Sequence, residues 1–268
     1  MGIKLGEKIM KIALCQTDVA FRDPDKNYQA IEQAVIEAAN SGADIVVLPE
    51  MWNTGYCLSE LADFADPNGD RTKGFLIRLA LQQKVTIIGG SVAISEEDHF
   101  SNIMYAVAKD GDLLASYRKV HPFQGMDEHT YIRPGNSANL FRIGDLACAG
   151  FICYDIRFPE WLRKHAANGA EVLFVSAQWP SARITQWKQL LIARAIENQA
   201  FVVAVNRVGS DPANQFGGNS LVIHPSGEII AEADDTPQNL LAEINLADVK
   251  KVREAMPVLA DRRPELYF

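Results

Sequence analysis

Four cysteines, at positions 15, 57, 148 and 153, are too few and too scattered for a disulfide framework in a chain of 268 residues. No two form a CxxC pair and no histidine sits at finger spacing, so a metal site is not expected. Basic charge is also scarce: acidic residues outnumber basic ones, the net charge is −8, and the Lys and Arg residues are scattered. Nucleic acid and anionic membranes are therefore not expected partners. No apolar run approaches the roughly 20 residues of a membrane span. The first residues lack the apolar core and small-residue cleavage site of a secretory signal. Residues 1–9 read as an extension or a cloning remnant, with the first strand starting at Met10. No Pro/Ser-rich linker or low-complexity stretch divides the chain. These absences leave a cytoplasmic protein with reduced thiols, residues 1–268 forming one domain. Its hydrophobic fraction of 48% suffices for one large core.

Apolar runs alternate with amphipathic stretches. Residues 12–15, 45–48, 85–91, 146–152, 172–175 and 201–206 read as buried strands. Helical spacing predicts helices over 27–40, 72–83, 158–168 and 184–198; in the first, Tyr28, Ile31, Ala34, Val35 and Ala38 fall on one face. Asp110-Gly111 between two apolar runs predicts a hairpin of 101–108 with 113–118. A second hairpin is expected across Pro225-Ser226-Gly227, and a last strand over 240–244. Segments 42–49 and 169–176 share a pattern of Gly-Ala-acid followed by an apolar strand, which hints at two related halves. The class is α/β. The tail from 249 to 268 is polar with scattered apolar residues, and Tyr267 and Phe268 read as docking residues, onto a second subunit or onto their own chain.

Cys153 ends an apolar run and opens a turn toward a helix, where an α/β fold exposes a nucleophile. Glu50 and Lys119 end two other strands. A thiol nucleophile needs a proton acceptor and donors for a developing oxyanion. Glu50 suits the acceptor role if an apolar site raises its pKa. Lys119 and the Tyr154 backbone N–H suit the oxyanion, and the helix after Cys153 is expected to acidify the thiol. Singly, each residue has a plainer reading: Cys153 as inert core, Glu50 as a surface carboxylate or cap, Lys119 as solvated.

Three strings taken together alter that balance. Leu48-Pro49-Glu50, Tyr117-Arg118-Lys119-Val120-His121 and Cys153-Tyr154-Asp155-Ile156-Arg157-Phe158-Pro159-Glu160 resemble, in order and spacing, the signatures of the nitrilase (carbon–nitrogen hydrolase) superfamily. The resemblance runs from about residue 10 to 244. It implies a four-layer αββα sandwich, a Glu50–Lys119–Cys153 triad and no cofactor. Glu128 matches a further family glutamate, expected to orient Lys119 or assist proton transfer. The implied reaction is acyl transfer from an amide through a thioester. A Cys–His hydrolase using His121 or His129 is the competing arrangement; the expected role of these histidines is to brace the loops around Lys119 and Glu128.

The Met126-Asp127-Glu128-His129 string, with Tyr131 and Gly135 after it, resembles the branch of small bacterial ω-amidases acting on 2-oxoglutaramate. Such a substrate carries a carboxylate. Arg157 and Arg183 are candidates to bind it, with an ion pair to Asp155 or Glu160 the alternative for Arg157. Trp179 and Tyr56 are candidate pocket walls. Other amidase, carbamoylase and nitrilase activities suit the same triad, and a non-catalytic binding protein is the reading from another class. The resemblance also implies a homodimer.

Overall fold

Continuous apolar runs rich in β-branched residues build the first sheet. In the computed structural model, which describes residues 9–267, the strands Ile9–Gln16, Ile45–Val47 and Thr86–Glu96 run parallel in that order. Gln238–Asn245 adds antiparallel to the first of them, and His99–Val107 and Leu113–Arg118 add antiparallel beyond the third. Ile12, Leu14, Ile45, Val47 and Ile88 join one apolar core. Their sequence neighbours Ala13, Cys15, Val46, Leu48 and Ile87 join another. A sheet that is apolar on both faces must be covered on both.

The outer cover is a pair of helices, Pro24–Asn40 and Asp70–Gln83, which pack Ile31, Val35, Leu76 and Leu79 against the sheet. The first starts earlier than its apolar spacing predicts. Pro24 occupies its first turn and the Asp23 side chain accepts the Lys26 N–H at 3.1 Å, both strong start signals.

The inner cover is a second sheet. Its parallel trio is Leu146–Ile152, Val172–Ala177 and Phe201–Asn206. Antiparallel strands flank it: Leu140–Ile143 on one side, Leu221–Ile223 and then Ile229–Glu232 on the other. Helices Pro159–Ala167 and Ile184–Asn198 pack Leu162, Trp187, Leu191 and Ala195 against the second sheet. The layers are helix, sheet, sheet, helix: the four-layer αββα sandwich. The repeated Gly-Ala-acid segments lead into Ile45–Val47 and Val172–Ala177, the middle strand of each parallel trio.

Two expectations change. The first strand begins at Ile9, so Ile9 belongs to the sheet rather than to an extension. Residues 1–8 and Phe268, on which the rest of that reading and part of the docking tail fall, lie outside the described residues. The polar tail contains a helix, Ala247–Ala255, seated by the buried Val249 and by Arg253, whose guanidinium donates to the Ala170 and Gln199 carbonyls at 2.7 and 3.1 Å.

Candidate active site

The parallel strands of both sheets discharge their chemistry at their C-terminal ends, the usual ligand side of such sheets. Glu50 follows Ile45–Val47, Cys153 follows Leu146–Ile152 and Gln178 follows Val172–Ala177. Lys119 follows Leu113–Arg118 and hydrogen-bonds back to the Asn102 carbonyl. Close backbone approach fixes the Glu50 turn. Gly90 has φ +61, and a Cβ there would lie 2.0 Å from the Pro49 carbonyl oxygen, so only glycine fits. The next residue, Ser91, donates its N–H to Pro49 and accepts the Met51 N–H on its hydroxyl.

These turns bring Glu50, Lys119, Glu128 and Cys153 into one buried cluster. Lys119 Nζ lies 2.7 Å from Glu50 Oε1 and 2.7 Å from Glu128 Oε2, with all three side chains fully buried. Tyr56 donates its hydroxyl to Glu50 Oε1 at 2.7 Å and accepts from Lys119 at 3.3 Å. Asn102 Nδ2 donates to both carboxylates at 3.0 Å. The Gln178 N–H reaches Glu50 Oε2 at 2.9 Å, and the Phe123 N–H reaches Glu128 Oε2 at 2.7 Å. The surroundings of Glu50 are thus a cage of donors and not the apolar site expected from its sequence context.

Burial alone would push the Lys119 ammonium down, but Glu128 and Glu50 more than offset it, and its pKa is raised. Burial, reinforced by Glu50, lifts the Glu128 carboxyl against the pull of Lys119. Burial, reinforced by the nearby Glu50 carboxylate, pushes the Cys153 thiol well up, with Lys119 opposing. The expected acidification by a helix does not occur. Cys153 opens a 3-10 turn, Cys153–Arg157, and the α-helix starts only at Pro159. The thiol is held neutral beside an acceptor, a pairing that suits proton removal during attack. Its backbone is left-handed, φ +44, a strained geometry for a non-glycine residue that concentrates at functional sites.

Asp155 ties the Lys119 and Cys153 turns together. Its buried carboxylate accepts the Ile152 N–H at 2.9 Å, the Tyr117 hydroxyl at 2.8 Å and the His121 N–H at 3.2 Å, and it pairs with His121 Nδ1 at 2.7 Å. His121 braces the loop after Lys119, stacking on Phe158 with ring centroids 3.8 Å apart. His129 is exposed on the short helix Glu128–Tyr131 and makes no side-chain hydrogen bond or ion pair among the described residues. No histidine lines the Cys153 pocket among the described residues.

That pocket is small and is walled by Tyr56, Phe123, Met126, Tyr154, Trp179 and Arg183, with Cys153, Gln178 and Arg157 also facing it. The ion pair expected of Arg157 is not formed. The turn folds Asp155 inward, while Arg157 donates to Gln186 at 2.7 Å with its guanidinium 4.7 Å from the Trp179 ring centroid. Arg183 lies 5.4 Å from the Phe123 centroid. Trp179 is wall and core at once, its indole N–H bound to the Arg183 carbonyl at 2.9 Å.

The carbon–nitrogen hydrolase model matches residues 11–254. The chain belongs to the carbon–nitrogen hydrolase family. A "2-oxoglutaramate amidase" of Bacillus subtilis (strain 168) is 45% identical over 96% of this chain and 98% of its own. "Omega-amidase YafV" of Escherichia coli (strain K12) is 34% identical, over 94% and 96%. Among solved structures, a carbon–nitrogen hydrolase from Helicobacter pylori G27 superposes with a TM-score of 0.90 at 26% identity, covering 97% of each chain. This carbon–nitrogen hydrolase therefore carries a cysteine-dependent amidase fold over essentially its whole described length.

Sequence reasoning missed Asn102, Asp155 as a clamp, and Gln178 as a carboxylate donor. The one available signal was three amide- or carboxyl-bearing residues within or just after strongly apolar strands, where an unpaired polar group is costly.

Proposed function

We propose that this chain is an ω-amidase that hydrolyses the side-chain amide of 2-oxoglutaramate, a small amide bearing a carboxylate, and releases ammonia. The observation that carries the reading is the buried Glu50–Lys119 pair, bridged by the Tyr56 hydroxyl, behind a small pocket that Tyr56 and Cys153 both line. Supporting the substrate are the names of the relatives and the two guanidiniums, Arg157 and Arg183, beside that pocket.

In this reading the S–H proton passes to Glu50 as sulfur bonds to the amide carbon. Lys119 and the Tyr154 N–H stabilise the resulting oxyanion. The C–N bond breaks, Glu50 returns the proton to nitrogen, and ammonia leaves. Water then attacks the thioester carbon, giving its proton to Glu50. The C–S bond breaks and the sulfur regains a proton. Glu128 keeps Lys119 protonated and aimed. Arg157 and Arg183 receive the distal carboxylate, and Trp179 and Tyr56 wall the acyl chain. No cofactor takes part in any step.

The reading extends to a cytoplasmic homodimer. Its supports are four free, buried cysteines and a groove along helix Pro159–Ala167, rimmed by the exposed Met256 and Tyr267. Among the described residues no helix is long and apolar enough to cross a membrane. Light scattering is expected to give twice the 29.6 kDa chain mass; a monomer mass contradicts the dimer. The activity test is ammonia release from 2-oxoglutaramate, carbamoyl amino acids, aliphatic amides and nitriles by wild type and Cys153→Ala. Release from the keto-acid amide, lost in the variant, is expected. Preference for another class replaces the substrate, and no release from any class sinks the enzyme reading.

A further inference from the structure

Arg207 is a guanidinium with no exposed surface, and the catalytic reading gives it no role. Burying such a group is costly unless its nitrogens find acceptors. Its Nε donates to the Val208 carbonyl at 3.1 Å, and Nη2 to Asp18 Oδ1 at 2.7 Å and the Val19 carbonyl at 2.9 Å. The remaining nitrogen, Nη1, donates to Gln178 Oε1 at 3.0 Å. Phe216 covers the group, 4.3 Å from ring centroid to guanidinium carbon.

Arginine has no acceptor, so it can face only the oxygen of the Gln178 amide. The amide NH₂ is thereby turned the other way, where it donates to the Glu50 carbonyl at 2.7 Å and the Met51 carbonyl at 3.3 Å. Met51 is left-handed, φ +45, and strain of that kind persists only where the surroundings over-determine it. The backbone N–H of the same Gln178 holds Glu50 Oε2. With the amide reversed, two carbonyl oxygens would face a third, and the turn carrying Glu50 would lose its anchor.

We propose that Arg207 is a positioning residue for the reaction: acting through the Gln178 amide, it locks the strained Glu50–Met51 turn and so aims the Glu50 carboxylate at the Cys153 thiol. The inference rests on Glu50 as the base, and it concerns a residue more than 150 positions away in sequence, just after the strand Phe201–Asn206 of the other sheet.

The test reads the base without any substrate. Alkylation of Cys153 by iodoacetamide is followed against pH by peptide mass spectrometry in wild type, Glu50→Gln, Arg207→Met, Arg207→Lys and Gln178→Leu. Arg207→Met and Gln178→Leu are each expected to slow alkylation near neutrality by about tenfold or more, since an error of about 1 Å in a reacting group can cost on the order of 10² in rate. Arg207→Lys, which keeps the charge without the fork, recovers part of the rate. The double variant is no slower than the slower single one, because both act through one contact chain. On 2-oxoglutaramate, kcat falls while KM stays within about threefold, as for loss of a transition-state interaction. Alkylation within twofold of wild type in folded Arg207→Met overturns the proposal; if that variant does not fold, the same result in Gln178→Leu does so. Alkylation indifferent to Glu50→Gln removes the base and overturns it as well. Normal alkylation profiles with no ammonia from 2-oxoglutaramate refute the substrate alone.

Discussion

Lys119→Met takes the one ammonium out of a site with two buried carboxylates. The Glu50 and Glu128 oxygens that grip it are each 2.7 Å from Nζ, hence no more than twice that, 5.4 Å, apart. At an effective dielectric near 20, two unit charges at that separation repel by about 3 kcal/mol. Breaking a buried ion pair costs about 3–5 kcal/mol in general, so the two figures agree. That is a large part of the roughly 5–15 kcal/mol by which a domain is stable. One carboxylate relieves the repulsion by binding a proton. Its folded pKa then rises above its unfolded value, the folded state binds more protons, and stability falls as pH rises. Urea unfolding of the variant at pH 8 is expected to show the full loss. At pH 5.5 the loss shrinks, by up to about 1.4 kcal/mol for each pH unit over which that proton is bound. Adding Glu128→Gln to Lys119→Met restores most of the stability at pH 8 but none of the activity. A loss under about 1 kcal/mol at pH 8, or the same loss at both pH values, refutes the electrostatic account.

Two further predictions concern residues away from the reacting atoms. Asn102→Leu deprives both carboxylates of a donor, and it is expected to cost about 2–5 kcal/mol and to lower kcat, since hydrogen bonds to charged groups are worth about 1.5–3 kcal/mol each; unchanged unfolding curves and turnover contradict this. His165 is buried, accepts the Asn139 N–H at 3.0 Å on Nε2, and is held below its ordinary pKa by burial. The unfolded chain therefore binds a proton that the fold refuses. Stability should drop as pH falls below the ordinary value of 6.5, and His165→Gln should remove that part of the slope; an unaltered slope assigns it elsewhere.

The strands and helices were legible because their signals are local: alternation, spacing, Gly and Asp-Gly at the turns. Glu50, Lys119 and Cys153 were legible as strand-end residues for the same reason. What the residues could not announce was their long-range partners. Asn102 sits inside an apolar strand, and its carboxylate partners are 26 and 52 residues away. The sequence offers Arg157 an ion pair with Asp155 or Glu160, but the 3-10 turn sends Asp155 inward to Tyr117 and His121, leaving Arg157 on the Trp179 ring. The sign of the Cys153 shift depends on burial and on Glu50, neither visible in its own string. The helix Ala247–Ala255 buries only Val249, too thin an apolar stripe to mark it in sequence.

The account turns on whether Cys153 forms the acyl-enzyme. Rapid-quench mass spectrometry of the enzyme turning over 2-oxoglutaramate, with peptide mapping, measures this most directly. The account predicts a transient acyl adduct on Cys153, absent in Cys153→Ala, and accumulating when Glu50→Gln slows hydrolysis more than attack. Turnover retained by Cys153→Ala, or an adduct found on Cys57 instead, contradicts it.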